Sequence, residues 1–502
     1  MTEDTIDAVL RRQAERDKPA VIDPDRRASF GELDTSTRRL AAGLLQAGVN
    51  RGTRVGLLMP NGVDWTRLAF AITRIGAVLV PLSTLLTPRE LRAQLRAASV
   101  QYVIAVDEFR GRRHRQTVEA LRTELPALQT VWTTAQALSL PRSAVSDGFV
   151  DRVSAGVYPS AELAIMFTSG SRGAPKGVVH SHGNALGAVR SGLTARCVTE
   201  DSRIYLPMPL FWVGGFGAGA LTALVSGATL VTEPIPTPQS TLRLLERERV
   251  TLFRGWPSQA ETLARHVDTV GADLSALRPG SLEALLPEDL RSPNGARANL
   301  FGMTESFGPY CGFAADTDMP RPAWGSCGKP FPGMEIRIVD TATGAPLATG
   351  QIGEIQIRGP HVMRGILGRA RHTVFTPDGF YPTGDLGQLD ADGFLFSHGR
   401  SDDMLKVSGA TVYPSEVEDA LRTLPGVRAV AVTDVPGPAG PQVGAMVVSD
   451  RTVDELRSAA RELLSSFKVP TVWVGVPDES GLPRNATGKV DVVAVRARLA
   501  GA

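Results

Sequence analysis

The sequence predicts an α/β protein. A large N-terminal domain of two α/β layers carries a small β-barrel-like subdomain and is followed by a small, mobile α+β C-terminal lid. Three observations predict this. Apolar segments RVGLLMP (54–60), GAVLVPLS (76–83) and VQYVIAV (100–106) read as strands, separated by helical stretches near 62–76 and 88–98. Such alternation winds a mostly parallel sheet. The pattern repeats in RIYLPMP (203–209), the small-residue stretch 214–226, ATLVTEP (228–234), a helix over 239–248 and VTLFRGWP (250–257). From about residue 325 the chain changes to short β-rich segments with Gly and Pro turns, EIRIVD, GEIQIRGP and GFLFSHG, which read as a small barrel or distorted sheet. After Arg400 come SDDMLKVSGATVYP, a helix over 415–423, the strand RAVAVTDVP, another helix and WVGVP. The expected domains are therefore 1–399 and 400–502.

With 502 residues and 43% hydrophobic content, the chain exceeds one ordinary domain and can bury sizeable cores. Fifty-four basic against 52 acidic residues leave a formal charge of +2, too weak a field to draw nucleic acid or an anionic membrane. Small-molecule chemistry is the expectation. Cys197, Cys311 and Cys327 lack C-x-x-C spacing, which disfavours a disulfide framework or zinc knuckle and fits a reducing cytosol. The stretch MTEDTIDAVLRRQAERDK is charged where a signal peptide would be apolar, and no run of about 18 apolar residues occurs. A cytoplasmic protein with no membrane span, monomeric or homodimeric, is expected. Only six of the basic residues are lysines: Lys18, Lys176, Lys329, Lys406, Lys468 and Lys489. Among so many arginines, a retained lysine marks a place where a compact ammonium serves better than a planar guanidinium. Lys176 and Lys489, each beside a glycine, stand out.

The stretch MFTSGSRGAPKGVVHSH (166–182) carries the first chemical signal. Thr168, Ser169 and Ser171 offer hydroxyls, Gly170 and Gly173 offer backbone N–H groups open to an anion, and Arg172 and Lys176 supply positive charge. That set suits a polyphosphate. It is not the nucleotide-triphosphatase loop, whose lysine is followed by Ser or Thr at the start of a helix. Here Gly177, Val178 and Val179 follow Lys176. Pro175 turns Ala174 away from helical geometry and the β-branched pair favours extension, so the loop is expected to join two strands.

Five segments, FTSGSRGAPKG, NLFGMTESFG (299–308), YPTGDLG (381–387), GRSDDMLKVSGATVYPSEVEDAL (399–421) and PRNATGKVD (483–491), resemble in order and spacing the core motifs of the adenylate-forming superfamily. That superfamily comprises acyl- and aryl-CoA synthetases, peptide-synthetase adenylation domains and beetle luciferases; the pattern here is nearest to the stand-alone acyl-CoA synthetases. The resemblance implies ATP- and Mg²⁺-dependent activation of a carboxylic acid to an acyl-adenylate with release of pyrophosphate, followed by transfer to CoA. It implies that Lys489 reaches the carboxylate and α-phosphate oxygens, where negative charge concentrates during attack; a preorganised group of this kind is typically worth roughly 10² to 10³ in rate. It further implies that Phe301 stacks on adenine beside Gly302 and Met303, that Thr304 bonds the α-phosphate and that Glu305 holds Mg²⁺. Asp385 and Arg400 would grip the ribose. Asp402 would be the hinge of the lid, with Lys406 and Gly409 lining the path of the CoA thiol.

Two segments depart from the family pattern. PLFWVGGFG (209–217) has Trp212 where relatives usually have His; an indole there can gate the thiol tunnel and makes the pocket mouth more apolar. Phe211, Trp212, Val213, Gly214, Phe216, Trp256, Gly302 and Met303 are the expected acyl-pocket residues, the alternative being that the aromatic cluster is core. The other departure is GSLEALLPEDL (280–290) followed by SPNGARANLFG, where the helix and strand usual in relatives are cut down. The substrate is expected to be an apolar acid, a fatty acid or natural-product acid. The rival expectations are an adenylating enzyme that delivers the acyl group to an acyl carrier protein, and a non-catalytic nucleotide-binding relative.

Overall fold

The structure, a computed structural model, describes residues 4–168, 176–400, 405–407, 410–412, 414–437, 441–464, 468–485 and 488–502. Compactness divides the chain into two units, Met1–Glu335 with Ile357–Tyr381, and Ile336–Gln356 with Pro382–Ala502.

The first unit holds two α/β sheets and a small antiparallel sheet of Phe301–Met303, Gly308–Gly312 and Lys329–Pro330. Seven strands run in the order Gly365–Ile366, Lys176–Ser181, Glu162–Thr168, Val78–Pro81, Arg54–Leu58, Tyr102–Ala105 and Thr130–Thr133. Neighbours from 162–168 to 130–133 are parallel. The remaining two pairings are antiparallel. The second sheet runs Leu252–Phe253, Arg203–Tyr205, Thr229–Val231, Pro19–Ile22 and Arg27–Ser29, parallel except for its last pair. Both α/β passes of the sequence are thus present. Strands such as Val78–Pro81 and Tyr102–Ala105 are buried along their whole length, which is why they read as continuous apolar runs and not as alternating ones.

Helices Ile6–Gln13, Phe30–Gln46, Val63–Arg74 and His182–Ser191 share one core with residues of both sheets. Helix Pro88–Ala97 packs on the far face of the larger sheet and Pro238–Arg247 on the far face of the smaller. Local sequence starts these helices: Ser29 with Glu32, and Thr87 with Glu90, form reciprocal capping boxes, satisfying backbone N–H groups that have no partner inside the helix. The small-residue stretch forms a turn at Val213–Gly215, a π-helical run Phe216–Leu221 and a last turn Thr222–Ser226. A side chain at Gly215 would lie 2.0 Å from the Pro209 carbonyl oxygen, so the close approach of this run to the 208–211 segment requires glycine.

One polar cluster joins the three N-terminal helices. Arg74, with no exposed surface, donates from Nε to Asp7 at 3.0 Å, from Nη1 to the Thr37 hydroxyl at 2.7 Å and the Asp34 carbonyl at 2.9 Å, and from Nη2 to both carboxylates. Arg11 closes on Asp7 at 2.8 Å and on Asp151 at 2.6 Å. A buried guanidinium is tolerable only when its donors are matched in this way.

Residues 280–300 contain two short 3₁₀ turns, Glu283–Leu285 and Glu288–Leu290, and no strand. Leu285 and Leu286 anchor the segment in the core beside Phe253, and Arg297 ties it to Ser292 at 2.7 Å.

Most residues of a four-stranded sheet, Glu335–Val339, Gly353–Arg358, Tyr381–Leu389 and Leu395–Arg400 in that order, fall in the second unit. This is the distorted-sheet form of the expected barrel-like subdomain. Compactness groups it with the C-terminal residues, earlier than the expected 399/400 boundary, because the last strand is followed closely by helix Pro414–Arg422: the Ser415 hydroxyl donates to the His398 carbonyl at 2.8 Å. Beyond it lie the pair Leu405–Val407 and Ala410–Val412, and the sheet Val427–Val435, Gln442–Ser449 and Val472–Val476. In that sheet Val430 and Val432 face one cluster while Ala431 faces another with Val495 and Leu499, the period of two that a strand covered on both faces requires. Among the described residues no helix is long and apolar enough to cross a membrane.

Two predictions follow from burial. Arg74→Met takes the buried partner from Asp7 and Asp34, which keep only Arg11 at 2.8 Å and Arg38 at 3.4 Å, and is expected to cost about 3 to 5 kcal/mol, read as a lower denaturant midpoint. His180 and His182 are fully buried and desolvation pushes both from 6.5 down to about 3. The unfolded chain therefore binds protons that the folded chain does not, so this contribution is present above pH 6.5 and is lost as pH falls toward 3. Each imidazole accounts for about 1.4 kcal/mol per pH unit in that window. A denaturant midpoint unchanged between pH 7 and pH 5 would contradict this.

Candidate active site

In the first unit the expected phosphate-loop residues Thr168 and Lys176 are directly opposed at the end of an antiparallel pair. The loop therefore joins two strands, as its Pro and β-branched residues require. Ser169, Gly170, Ser171, Arg172 and Gly173 lie outside the described residues. At Gly177 a Cβ would meet Leu367 at 2.6 Å, which explains the glycine beside Lys176. Lys176 is half-buried and makes no ion pair among the described residues. Lys18 and Lys468, by contrast, are bound to the Glu200 carbonyl and the Glu416 carboxylate.

The second element is a strand, Phe301–Met303, paired with Gly308–Gly312 and followed by a 3₁₀ turn, Thr304–Ser306. The turn does not continue as a helix because Phe307 closes it in the left-handed region at φ 54°. A bulky residue held there is strained and persists only where its surroundings hold it. The Phe307 ring is so held, edge-on to His180 at 4.8 Å and to Phe216 at 6.1 Å. Gly302 allows the hairpin to close, since a Cβ would lie 2.2 Å from the Gly308 oxygen. Phe301 is half-buried and edge-on to Tyr310 at 5.7 Å.

Glu305 is 6% exposed, and its carboxylate accepts the Tyr381 hydroxyl at 3.2 Å. Its carbonyl accepts the Met363 N–H at 2.8 Å. The Thr304 carbonyl accepts a hydrogen bond from His180 Nε2 at 2.9 Å. Tyr381 and His180 were both missed by sequence reasoning. Each sits inside a quoted motif, YPTGDLG and KGVVHSH, but as an apparently ordinary strand residue.

The expected acyl-pocket residues separate by burial. Trp212 and Trp256 pack edge-to-face at 6.1 Å, and Phe211 meets Trp212 at 5.7 Å. Trp256 is 38% exposed, while Trp212, Gly214 and Met303 are half-buried and Gly302 is exposed. Phe211 and Val213 are buried, and Phe216 has no exposed surface and lies against Trp65 at 5.5 Å. Asn61 positions the segment that carries these aromatics: its amide donates to the Met208 carbonyl at 3.1 Å and accepts the Leu210 N–H at 2.7 Å.

In the second unit Asp385 and Arg400 oppose each other across a strand pair and form an ion pair at 3.2 Å. Arg400 also donates to the Thr383 carbonyl at 3.2 Å. Lys489 is exposed; its carbonyl accepts the Asn485 N–H at 2.8 Å, its own N–H donates to Asn485 Oδ1 at 3.2 Å, and the preceding Gly488 takes φ 78°. It makes no ion pair among the described residues. Lys406 lies in the strand Leu405–Val407 opposite Thr411; Asp402 and Gly409 lie outside the described residues. Among the described residues no three His, Cys, Asp or Glu side chains converge as a metal cage.

The model of the AMP-binding enzyme family matches residues 10–367, and that of the AMP-binding enzyme C-terminal domain matches residues 416–489. Feruloyl-CoA synthase of an Amycolatopsis species is 33% identical over 483 residues, 94% of each chain. A methyl-dioxo-octahydroindenyl-propanoyl:CoA ligase of Mycobacterium tuberculosis is 33% identical over 515 residues, 97% of each chain. The crystal structure of the anthranilate CoA ligase AuaEII in complex with anthranoyl-AMP superposes with a TM-score of 0.83 at 25% identity, covering 99% of this chain and 97% of that one. With both family models matched in order and CoA ligases similar along nearly its whole length, the chain belongs to the AMP-binding enzyme family of adenylate-forming enzymes.

Proposed function

We propose that this CoA ligase acts on a ring-bearing, largely apolar carboxylic acid. In the first half-reaction a carboxylate oxygen bonds to the α-phosphorus of ATP and the bond to the bridging oxygen breaks, so that pyrophosphate leaves with the electron pair. In the second, the CoA sulfur bonds to the acyl carbon, the acyl–oxygen bond to AMP breaks, and the thiol proton passes to solvent.

The observation that carries the division of labour is the uncommitted state of Lys176 and Lys489 among the described residues, beside paired Lys18 and Lys468. Lys176, with Thr168, Ser169, Gly170, Ser171, Arg172 and Gly173, holds the departing pyrophosphate. Lys489 serves the α-phosphate and the attacking carboxylate, where a cation is worth most because charge develops there. Thr304 bonds the α-phosphate. Phe301 with Gly302 and Met303 faces adenine, and Asp385, held by Arg400, accepts from the ribose hydroxyls.

Glu305 fits Mg²⁺. One buried carboxylate, with phosphate oxygens and water completing the shell, is the donor set Mg²⁺ commonly takes in nucleotide sites. When bound, the ion neutralises charge on the phosphates. Tyr381 keeps the Glu305 carboxylate oriented.

The half-exposed pair Trp212 and Trp256 supports a bulky ring-bearing acid, for which Phe211, Val213, Gly214, Phe216, Gly302 and Met303 are the further proposed pocket residues. The relatives' names, a feruloyl, an indenyl-propanoyl and an anthranilate ligase, point the same way. Residues from 400 onward act as a lid turning about Asp402, with Lys406, Gly409 and Trp212 lining the thiol path.

Acid-dependent exchange of labelled pyrophosphate into ATP, followed by thioester formation on adding CoA, tests the reading. No exchange with any of a broad panel of aryl, polycyclic and fatty acids would refute it, and acyl-AMP that accumulates without thioester would assign an acyl carrier protein as the acceptor instead. Lys489→Ala is expected to slow exchange by roughly 10² to 10³ without lowering the denaturant midpoint, since the side chain is exposed. Trp212→Ala is expected to raise the KM for ring-bearing acids by roughly 10- to 100-fold while leaving the KM for ATP unchanged.

A further inference from the structure

We propose that His180 is a positioning residue for adenylation: its neutral imidazole, oriented by Asn184, donates to the Thr304 carbonyl and thereby fixes the turn that presents Thr304 and Glu305 to the nucleotide. The inference rests on the role proposed for those two residues.

The proton's place on the ring follows from its partners. A carbonyl oxygen can only accept, so at 2.9 Å from the Thr304 oxygen His180 Nε2 carries the hydrogen. Nδ1 is then a bare acceptor, and Asn184 Nδ2 donates to it at 2.9 Å. The orientation of the Asn184 amide is equally determined. Its second N–H reaches the His361 carbonyl at 3.1 Å, and its oxygen accepts the Ser181 N–H at 2.6 Å with the Ser181 hydroxyl at 3.2 Å. Turning the amide over would set oxygen against the His361 carbonyl and nitrogen against the Ser181 N–H. Every polar atom of the relay is satisfied in one arrangement only, the condition under which a buried network rigidifies its surroundings.

The relay is built for neutrality. His180 has no exposed surface and Asn184 is 7% exposed. Among the described residues the ring's hydrogen-bond partners are Asn184 and the Thr304 carbonyl and its ring partner is Phe307, all uncharged. An imidazolium would carry a second N–H facing the Asn184 donor. Burial pushes the pKa to about 3, so the tautomer persists through the neutral range.

The turn it holds needs holding. Phe307 sits at φ 54°, and its ring is met edge-on by the same imidazole at 4.8 Å and by Phe216 at 6.1 Å. The Met363 N–H adds a grip on the Glu305 carbonyl at 2.8 Å. His180 is four residues beyond Lys176 on one strand, so the residue proposed to hold the leaving pyrophosphate and the turn proposed to hold the α-phosphate and Mg²⁺ are referenced to the same rigid backbone.

His180→Met and His180→Gln are near-equal in length and differ in that only the glutamine amide can donate to Thr304. In the pyrophosphate exchange assay, His180→Met is expected to lower the maximal rate about 100-fold, the scale of a small misplacement of reacting groups, with the KM for the acid little changed, and His180→Gln is expected to recover most of the loss. Equal rates in wild type and both variants, or equal losses in both variants, would overturn the proposal. Nitrogen-15 histidine spectra of the wild-type chain without substrate give an independent reading: an Nε2-protonated ring unchanged from pH 6 to pH 9 is expected, and an Nδ1-protonated or titrating ring would overturn the proposal even if the variants fold poorly. A wild-type chain inactive with every acid would refute the proposed function, and the role of His180 in adenylation with it, whereas active wild type with an unaffected His180→Met variant would refute the role of His180 alone.

Discussion

The strand Lys176–Ser181 is paired along both edges, and the candidate site of the first unit depends on that pairing. On one side it meets Glu162–Thr168 and on the other Gly365–Ile366, so its backbone has little freedom to shift. Its first residue is the cation beside the phosphate loop. Gly177 admits Leu367 against the strand. His180 reaches across to the Thr304 turn, and Ser181 caps helix His182–Ser191 through Asn184. A one-residue slip in this pairing would turn every one of these side chains to the opposite face, so the hydrogen-bond register of the hairpin is also the register of the site.

Two buried nitrogenous groups show opposite ways of keeping polarity inside a core. Arg74 has its donors matched by two carboxylates, a hydroxyl and a carbonyl. It organises three helices far from the chemistry. His180 stays neutral because its partners are a carbonyl and an amide, and it organises the turn at the chemistry. The guanidinium cannot shed its proton and must be surrounded by anions. The imidazole can, so it adds no fixed charge of its own beside the turn proposed to meet the nucleotide.

Much of the fold was legible because burial on both sheet faces imposes long apolar runs, and the runs at 54–60, 76–83, 100–106, 203–209 and 228–234 became strands. The strand–loop–strand form of 168–176 was legible from Pro175 and the Val178–Val179 pair. The link between Ser415 and the His398 carbonyl was not, because it is a tertiary hydrogen bond that no composition shift announces. The aromatic cluster was legible only as a cluster: Phe211, Trp212 and Phe216 are close in sequence, yet the tight turn and π-helical run at 213–221 bury Phe216 against Trp65 and leave Trp212 half-exposed beside Trp256.

The sequence by itself determined the chemical inventory: the lysines beside glycines, the Thr-Glu pair, the Asp–Arg pair and the order of motifs that resembles adenylate-forming enzymes. These are local patterns, and local patterns survive in one dimension. Tertiary structure alone decided how the inventory is held. That Tyr381 is the partner of Glu305, that His180 is the partner of Thr304, and that Asn184 fixes the tautomer of His180 are contacts between residues 76, 124 and four positions apart. No propensity or spacing rule encodes the two long ones, because they arise only when sheet register and a left-handed turn at Phe307 bring distant backbone atoms within hydrogen-bonding reach.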